Sequence, residues 1–460
     1  MGFVWLICLV AALGGLLFGY DWVVIGGAKP FYEAYFHLTG PGQAWLAGWA
    51  MSSALAGCLG GAILSGAVTD RLGRKKVLVA AAALFTASAV WTALAASLTA
   101  FITARILGGV GIGLASNVSP MYIAEVSPTE TRGRLVSLNQ LTIVIGILAA
   151  QLANWAIYHH APVARDATPE VILASWNGQQ GWRWMFAAET VPAGLFLLLA
   201  LLVPESPRWL LKQSRAAAAR AVLEKIGGAP YAEAEVADIS QTLAGEAKTA
   251  SWAELFAPRM LKILGLGVFL AVFQQWCGIN TIFNYAEEIF KAAGYDVSGM
   301  MFNIVITGIV NLVFTLVAIK TVDRWGRRPL MLLGAGGLMF TYAVLGACYY
   351  FRVTGVAVLA VVLLAIACYA MTLAPITWVL LSEIFPNRIR GAAMSLCVSF
   401  LWIACFALTV TFKPINVALG ASGTFWLYGG ICLVGFLVMF RQVPETKGKS
   451  LEDIERELVD

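Results

Sequence analysis

Charge is what this chain of 460 residues has least of: Asp, Glu, Lys and Arg make up 12% of it, against 60% hydrophobic residues and a mean hydropathy of +0.78. A soluble domain carries about 25% charged residues, so no water-facing surface of ordinary chemistry can be built from this composition. The net charge of +5 is too small, and its basic residues too scattered among apolar runs, to suit a nucleic-acid partner. Histidine is nearly missing: only His37, His159 and His160 occur, at the ends of apolar runs or beside them. Eight cysteines lie mostly inside apolar runs without a CxxC pair, the pattern of small buried hydrophobes and not of a metal site or disulfide framework. No catalytic triad, phosphate loop or metal cluster is visible. Neither an enzyme nor a bound cofactor is expected.

What fills the chain instead is long apolar runs. A helix needs about 20 such residues to cross the hydrocarbon core, and the runs group as six, a polar interval, and six more. The expectation is an all-α membrane protein of twelve transmembrane helices. Residues 1–203 form a first six-helix half, 204–261 a linker with short helices, 262–441 a second half and 442–460 a tail. The first run lacks a basic leader and an A-x-A cleavage site, so it reads as a retained helix in the bilayer. Lysine and arginine set the orientation. Arg71, Arg74, Lys75, Lys76, Arg132, Arg134, Arg324, Arg327, Arg328, Arg388 and Arg390 collect on one side, with the basic linker and tail; Lys29, Arg165, Arg183, Lys291, Arg352 and Lys413 are left for outer loops. Both termini are therefore expected in the cytoplasm.

The two halves repeat a signal. "DRLGRKK" (70–76) answers "DRWGRRP" (323–329), "AEVSPTETRGR" (124–134) answers "SEIFPNRIRG" (382–391), and "PESPRWL" (204–210) answers "PETKGKS" (444–450). Offsets of 323 − 70 = 253 and 444 − 204 = 240 fit a tandem duplication whose repeats run parallel. These motifs, with "GGVGIGLASNVSPMYIAEVSP", "FQQWCGIN" and "VPETKGKSLE", resemble the sugar porter family of the Major Facilitator Superfamily over essentially the whole chain. The resemblance is strongest to bacterial sugar–proton symporters of the xylose type and to animal glucose facilitators. It implies the Major Facilitator fold, a monosaccharide (pentose or hexose) as substrate, a monomer, and a multi-pass place in the plasma membrane, the inner membrane in a bacterium.

The resemblance assigns the motif ends to a cytoplasmic gate, and the residues agree with it. Glu125, Glu205 and Glu383 fall at the inner ends of spans beside Arg74, Arg132, Arg327 and Arg390, where ion pairs can form in one state and part in another.

Polar side chains also occur at mid-span: Gln140, Gln274, Gln275, Asn280 and Asn311, with Trp378 and Trp402. Amides offer donors and acceptors to sugar hydroxyls, and indole rings stack on pyranose faces. Motif agreement makes these the expected substrate contacts, with Gly278 permitting a break in "QQWCGIN". Three positions depart from the family: Asn284–Tyr285 replaces a tyrosine pair, Ala374–Pro375 replaces Gly-Pro and is expected to stiffen span 10, and Leu401 replaces a glutamine. The lost amide leaves pentose, glucose, fructose and other monosaccharides as alternatives.

One carboxylate, Asp21 in "FGYDWVVIGG", stands within the first run. A charge at mid-helix costs about 2.5–3.5 kcal/mol on insertion scales. Arg105 and Glu189 fall at the same depth, roughly 6–9 Å below the outer ends of their spans at 1.5 Å per residue. Two carboxylates and one guanidinium make a group whose proton count can change, and in the resembling symporters the "FGYD" aspartate is the proton site. The expected function is sugar–proton symport by alternating access, with an uncoupled facilitator as the near alternative. A sugar sensor would need a signalling extension, and only ten residues follow "PETKGKS".

Overall fold

The computed structural model describes residues 2–40, 42–128, 131–164, 167–245, 256–385 and 389–447. Among these residues every regular element is helical. The first long helices are α1 (Gly2–Tyr35), α2 (Ala44–Leu72), α3 (Arg74–Leu94), α4 (Leu98–Val126) and α5 (Arg132–His160). The sixth pass is assembled from pieces: a π-helical turn at Asn177–Gly181, then α7 (Trp182–Ala187) and α8 (Thr190–Ala200), with the short α6 (Pro169–Ala174) before them. Pro192 explains the break between α7 and α8, because its ring has no N–H for the Ala188 carbonyl and crowds it. Glu189 sits at that break, as the residue before α8.

The linker folds into α9 (Pro207–Lys212), α10 (Ala216–Gly227) and α11 (Ala229–Gly245); residues 246–255 lie outside the described residues. The second set comprises α12 (Pro258–Trp276), α13 (Ile279–Asn284), α14 (Ala286–Ala292), α15 (Val297–Trp325), α16 (Arg327–Tyr350), α17 (Val356–Met371), α18 (Leu373–Glu383) and α19 (Arg390–Gln442).

Among the described residues, eleven stretches are long and apolar enough to cross a membrane. The last, Ala392–Gln442, has 51 residues, which is about 76 Å at 1.5 Å per residue, far beyond a bilayer core of about 30 Å. Gly420 breaks it with φ 69° and ψ 174°. Two passes joined at that glycine restore the expected twelve.

The chain packs as two compact units, and these do not follow chain order. One comprises Met1–Trp22, Ala56–Ile147 and Phe186–Thr249, the other Val23–Leu55, Leu148–Met185 and Ala250–Asp460. In the first unit α3 packs along α4 and against α8. There α2 and α4 approach through small residues: a Cβ on Gly57, Gly61 or Gly113 would run into the facing helix backbone. Such close approach is how membrane helices gain contact without a hydrophobic drive. In the second unit α16 and α12 both pack on α19.

Two further breaks shape the second unit. Gly278 takes a left-handed conformation (φ 85°) between α12 and α13, which glycine alone adopts cheaply. Thr372 (φ −128°, ψ −87°) separates α17 from α18. Span 10, expected to be stiffened at Ala374–Pro375, is therefore interrupted: Pro375 cannot donate to the Met371 carbonyl, and the chain turns just upstream.

Candidate functional site

The three residues at equal depth in the first unit do come together. Asp21, Arg105 and Glu189 are each 2% exposed. One Arg105 amine pairs with the Asp21 carboxylate, and the other donates to the Asp21 backbone carbonyl at 3.2 Å. The guanidinium also lies 5.4 Å from the centre of the Phe186 ring, a cation–π position. Glu189 faces both Asp21 and Arg105. With both carboxylates ionised this group would be one negative charge in excess, and burial makes such an excess costly unless a proton neutralises it.

At the motif ends each unit builds the same device from its own residues. In the first, Gly73 (φ 92°) turns the chain so that the Arg74 and Lys75 N–H groups, at the start of α3, donate to Glu205 at 2.8 and 3.1 Å. Arg74 then grips Glu125 with two hydrogen bonds of 2.8 Å, and Ser206 donates to the same carboxylate. In the second, Gly326 (φ 86°) turns the chain, and the Arg327 and Arg328 N–H groups donate to Glu445 at 3.0 and 3.2 Å. Arg327 pairs with Glu383 at 3.1 Å, and Thr446 donates to Glu383. A Cβ on either glycine would collide with the capping carboxylate, which accounts for glycine at both turns. Carboxylates at helix N-termini satisfy otherwise orphaned donors and suit the dipole.

The sequence located Glu205 in this group but missed Glu445, Ser206 and Thr446, whose matched "PES" and "PET" settings were the available signal. Each observed ion pair joins residues of one unit. Arg132 is exposed at the first residue of α5. Arg390 opens α19, and its side chain lies outside the described residues.

The expected substrate contacts fall in two places. Gln274, Gln275 and Asn280 form one connected amide group in the second unit. Asn280 donates to Gln275, Gln275 donates to Gln274 at 3.3 Å, and Gln274 donates to the Ala374 carbonyl of α18 at 3.4 Å. Asn280 also reaches Cys405 Sγ at 4.0 Å, one turn along α19 from Trp402. Trp378, one turn along α18 from Ala374, is 38% exposed, while Trp402 is 3% exposed. Asn311 is buried on α15, and no hydrogen bond joins it to the amide group among the described residues. Gln140 lies half-buried on α5, in the first unit. Tyr285, the tyrosine kept after "GIN", donates to the Thr409 carbonyl at 2.7 Å and is fully buried, while Asn284 takes the other position.

Four basic residues assigned to outer loops lie in helices instead: Arg183 in α7, Lys291 in α14, and Lys29 and Lys413. Lys29 is inside α1 and 1% exposed, and Lys413 is inside α19; both pair with glutamates. Counting basic residues as loop markers hid them, although Lys29 and Glu33 stand four apart in an apolar helix, which was the legible sign of a pair.

The model of a family described as "Sugar (and other) transporter" matches residues 7–458. The D-xylose-proton symporter of Escherichia coli (strain K12) is 39% identical over 98% of this chain and 95% of its own length. The arabinose-proton symporter of Bacillus subtilis (strain 168) is 39% identical over 99% of this chain and 95% of its own. Among solved structures, the xylose transporter XylE from E. coli in an inward open conformation superposes with a TM-score of 0.85 at 38% identity, covering 99% of this chain and 100% of that one. The helical architecture is thus the Major Facilitator fold. With the duplicated glycine turns, the buried Asp21–Arg105 pair and the amide group in place, the chain belongs to the sugar transporter family, multi-pass membrane proteins that are not enzymes.

Proposed function

We propose that this chain carries a monosaccharide, a pentose or hexose, across the plasma membrane together with one proton by alternating access. The observation that carries the proton coupling is the buried meeting of Asp21, Arg105 and Glu189. When a proton adds to one carboxylate oxygen, the pair keeps a single negative charge, which the guanidinium balances. When the proton leaves, Arg105 faces two carboxylates and the group must rearrange or meet water.

Gln274, Gln275, Asn280, Asn311, Trp378 and Trp402 are the proposed sugar contacts, with Gln140 from α5. Three amides already bonded to one another supply the donor and acceptor variety that sugar hydroxyls require. Arg74, Glu125, Arg132, Glu205, Arg327, Glu383 and Arg390 form the proposed gate, on the cytoplasmic side with both termini. The moving bodies are the halves 1–203 and 262–441, and the working form is a monomer in the lipid bilayer.

The test is uptake into proteoliposomes of labelled xylose, arabinose, glucose, galactose and fructose, with and without an inward proton gradient. Wild type should accumulate at least one sugar above equilibrium only with the gradient, while Asp21→Asn should exchange that sugar between pools without accumulating it. Equal accumulation by both proteins would return Asp21 to a structural partner of Arg105. Gradient-independent equilibration by wild type would make the chain a facilitator.

A further inference from the structure

A second buried charge cluster lies wholly within the second unit and plays no part in the function proposed above. Lys29 Nζ of α1 sits 2.8 Å from Glu287 Oε2 and 2.6 Å from Glu288 Oε1, both on α14, and 3.3 Å from Glu33 Oε1 one turn along α1. Lys413 of α19 reaches the other Glu33 oxygen at 2.7 Å. Five charged side chains thereby tie three helices together, on the proposed orientation at the outer end of α1. Tyr285, between α13 and α14, brings its ring to 5.7 Å from Lys29 Nζ. The other titratable groups facing the cluster are Tyr32 on α1, Lys291 on α14 and Tyr428 on α19.

Two ammonium groups face three carboxylates. Lys291 belongs to the exposed face of α14 and is screened by water. The side chains of Lys29 and Glu33 are 2% and 4% exposed, and those of Glu287 and Glu288 20% and 19%. Glu288 Oε2 is shut off from solvent and has no hydrogen-bond partner among the described residues. A buried carboxylate oxygen without a donor is costly, and a proton on it removes both the surplus charge and the unmet acceptor's charge.

We propose that the Lys29–Glu33–Glu287–Glu288–Lys413 cluster is a second proton-binding site, centred on Glu288, whose occupancy holds α14 and α19 closed on the outer part of α1. The proton adds to a Glu288 oxygen as an O–H bond when the helices close and returns to water when they part. Burial pushes the Glu288 carboxyl up to about 7 against the opposing pull of Lys29, whereas an opened, solvated glutamate returns to about 4.3. The closed form therefore binds the proton more tightly. Its advantage is complete below about 4.3 and is lost as pH rises through about 7.

The proposal does not depend on sugar transport, and its test reads none. Hydrogen exchange of the backbone amides of residues 279–292, in lipid nanodiscs and corrected for intrinsic rates, should report opening of α13 and α14. In wild type the opening constant should rise from pH 5 to pH 8, approaching tenfold per pH unit once one proton is lost on opening. Glu288→Gln, which keeps the shape and removes the titration, should exchange slowly and equally at every pH. Lys29→Met should exchange fast at every pH. Asp21→Asn should keep the wild-type response, since its proton site is a different one. A flat wild-type profile overturns the proposal. So does an unchanged slope in Glu288→Gln, or a slope abolished by Asp21→Asn, which would place the proton at Asp21.

Discussion

Arg105 holds Asp21 twice, through its carboxylate and through its backbone carbonyl at 3.2 Å. The second bond does not depend on the aspartate's charge. Asp21→Asn should therefore keep Arg105 in place, with a loss of about 1.5–3 kcal/mol for the one charged hydrogen bond changed. Asp21→Ala loses the side-chain partner altogether and leaves a 2%-exposed guanidinium facing Glu189 alone. Thermal unfolding in detergent should rank wild type, then Asn, then Ala; Ala equal to Asn would mean that Glu189 alone satisfies Arg105.

The amide group predicts non-additive losses of sugar affinity. Gln275→Ala and Asn280→Ala should each weaken binding about tenfold, the upper end of 0.5–1.5 kcal/mol per net hydrogen bond. Because Asn280 donates to Gln275, removing one frees the other to reorganise, and the double variant should lose less than the sum. Calorimetry of the two single variants and the double against every transported sugar checks this. Strict additivity would separate the two residues into independent contacts.

The matched turns predict a weakness in each unit, graded by how deeply its ion pair is buried. Glu125→Gln leaves Arg74, with a side chain only 8% exposed, facing a neutral amide. Breaking a buried pair from one side costs about 3 kcal/mol or more. Glu383→Gln should cost less, because Arg327 and Glu383 are 14% and 21% exposed. Measured melting temperatures in the reverse order would contradict the burial argument. Cysteine labelling from the cytoplasmic face should also rise in both variants if these pairs hold the gate closed.

Glu445 gives a pH dependence of definite sign. Burial raises its carboxyl, but N–H donors from Lys447, Arg327, Arg328 and Thr446 outweigh this and hold it below its ordinary 4.5. A depressed carboxylate stabilises the fold above its unfolded value and loses that contribution as pH falls through the folded one. The amides of Arg327 and Arg328 should therefore stay protected against hydrogen exchange at neutral pH and lose protection below about pH 4.5. In Glu445→Gln that acid-induced loss should be absent, from a lower starting protection.

Much of this was legible in the sequence because the features are local. Gly278 announced a helix break by its residue type, and the "DRxGR" glycines announced turns by repetition. The shared depth of Asp21, Arg105 and Glu189 followed from helix rise alone. What escaped depended on partners far along the chain. Lys29 reads as a loop marker until Glu287 and Glu288 are folded against it. Pro192 and Pro375 are visible as residues, but whether a proline kinks or interrupts its helix is decided by packing around the freed carbonyl. Gly420 joins two passes without a loop, so no polar signal marked that boundary.

The Lys29 contacts also bear on how the protein is made. Its α14 partners come 258 and 259 residues later in the chain, which at 5–20 residues per second is roughly 13–50 s of synthesis. During that interval α1 must leave the ribosome and partition into lipid with an ammonium group inside it. Of the three carboxylates that Lys29 meets among the described residues, Glu33, four residues on and 3.3 Å away, is the one that emerges with it. The pair within α1 thus acts as a built-in chaperone for its own lysine. Glu33→Gln should slow or misdirect integration of the nascent first helix in a translocon assay, even in a truncated chain that ends before α14 is synthesised.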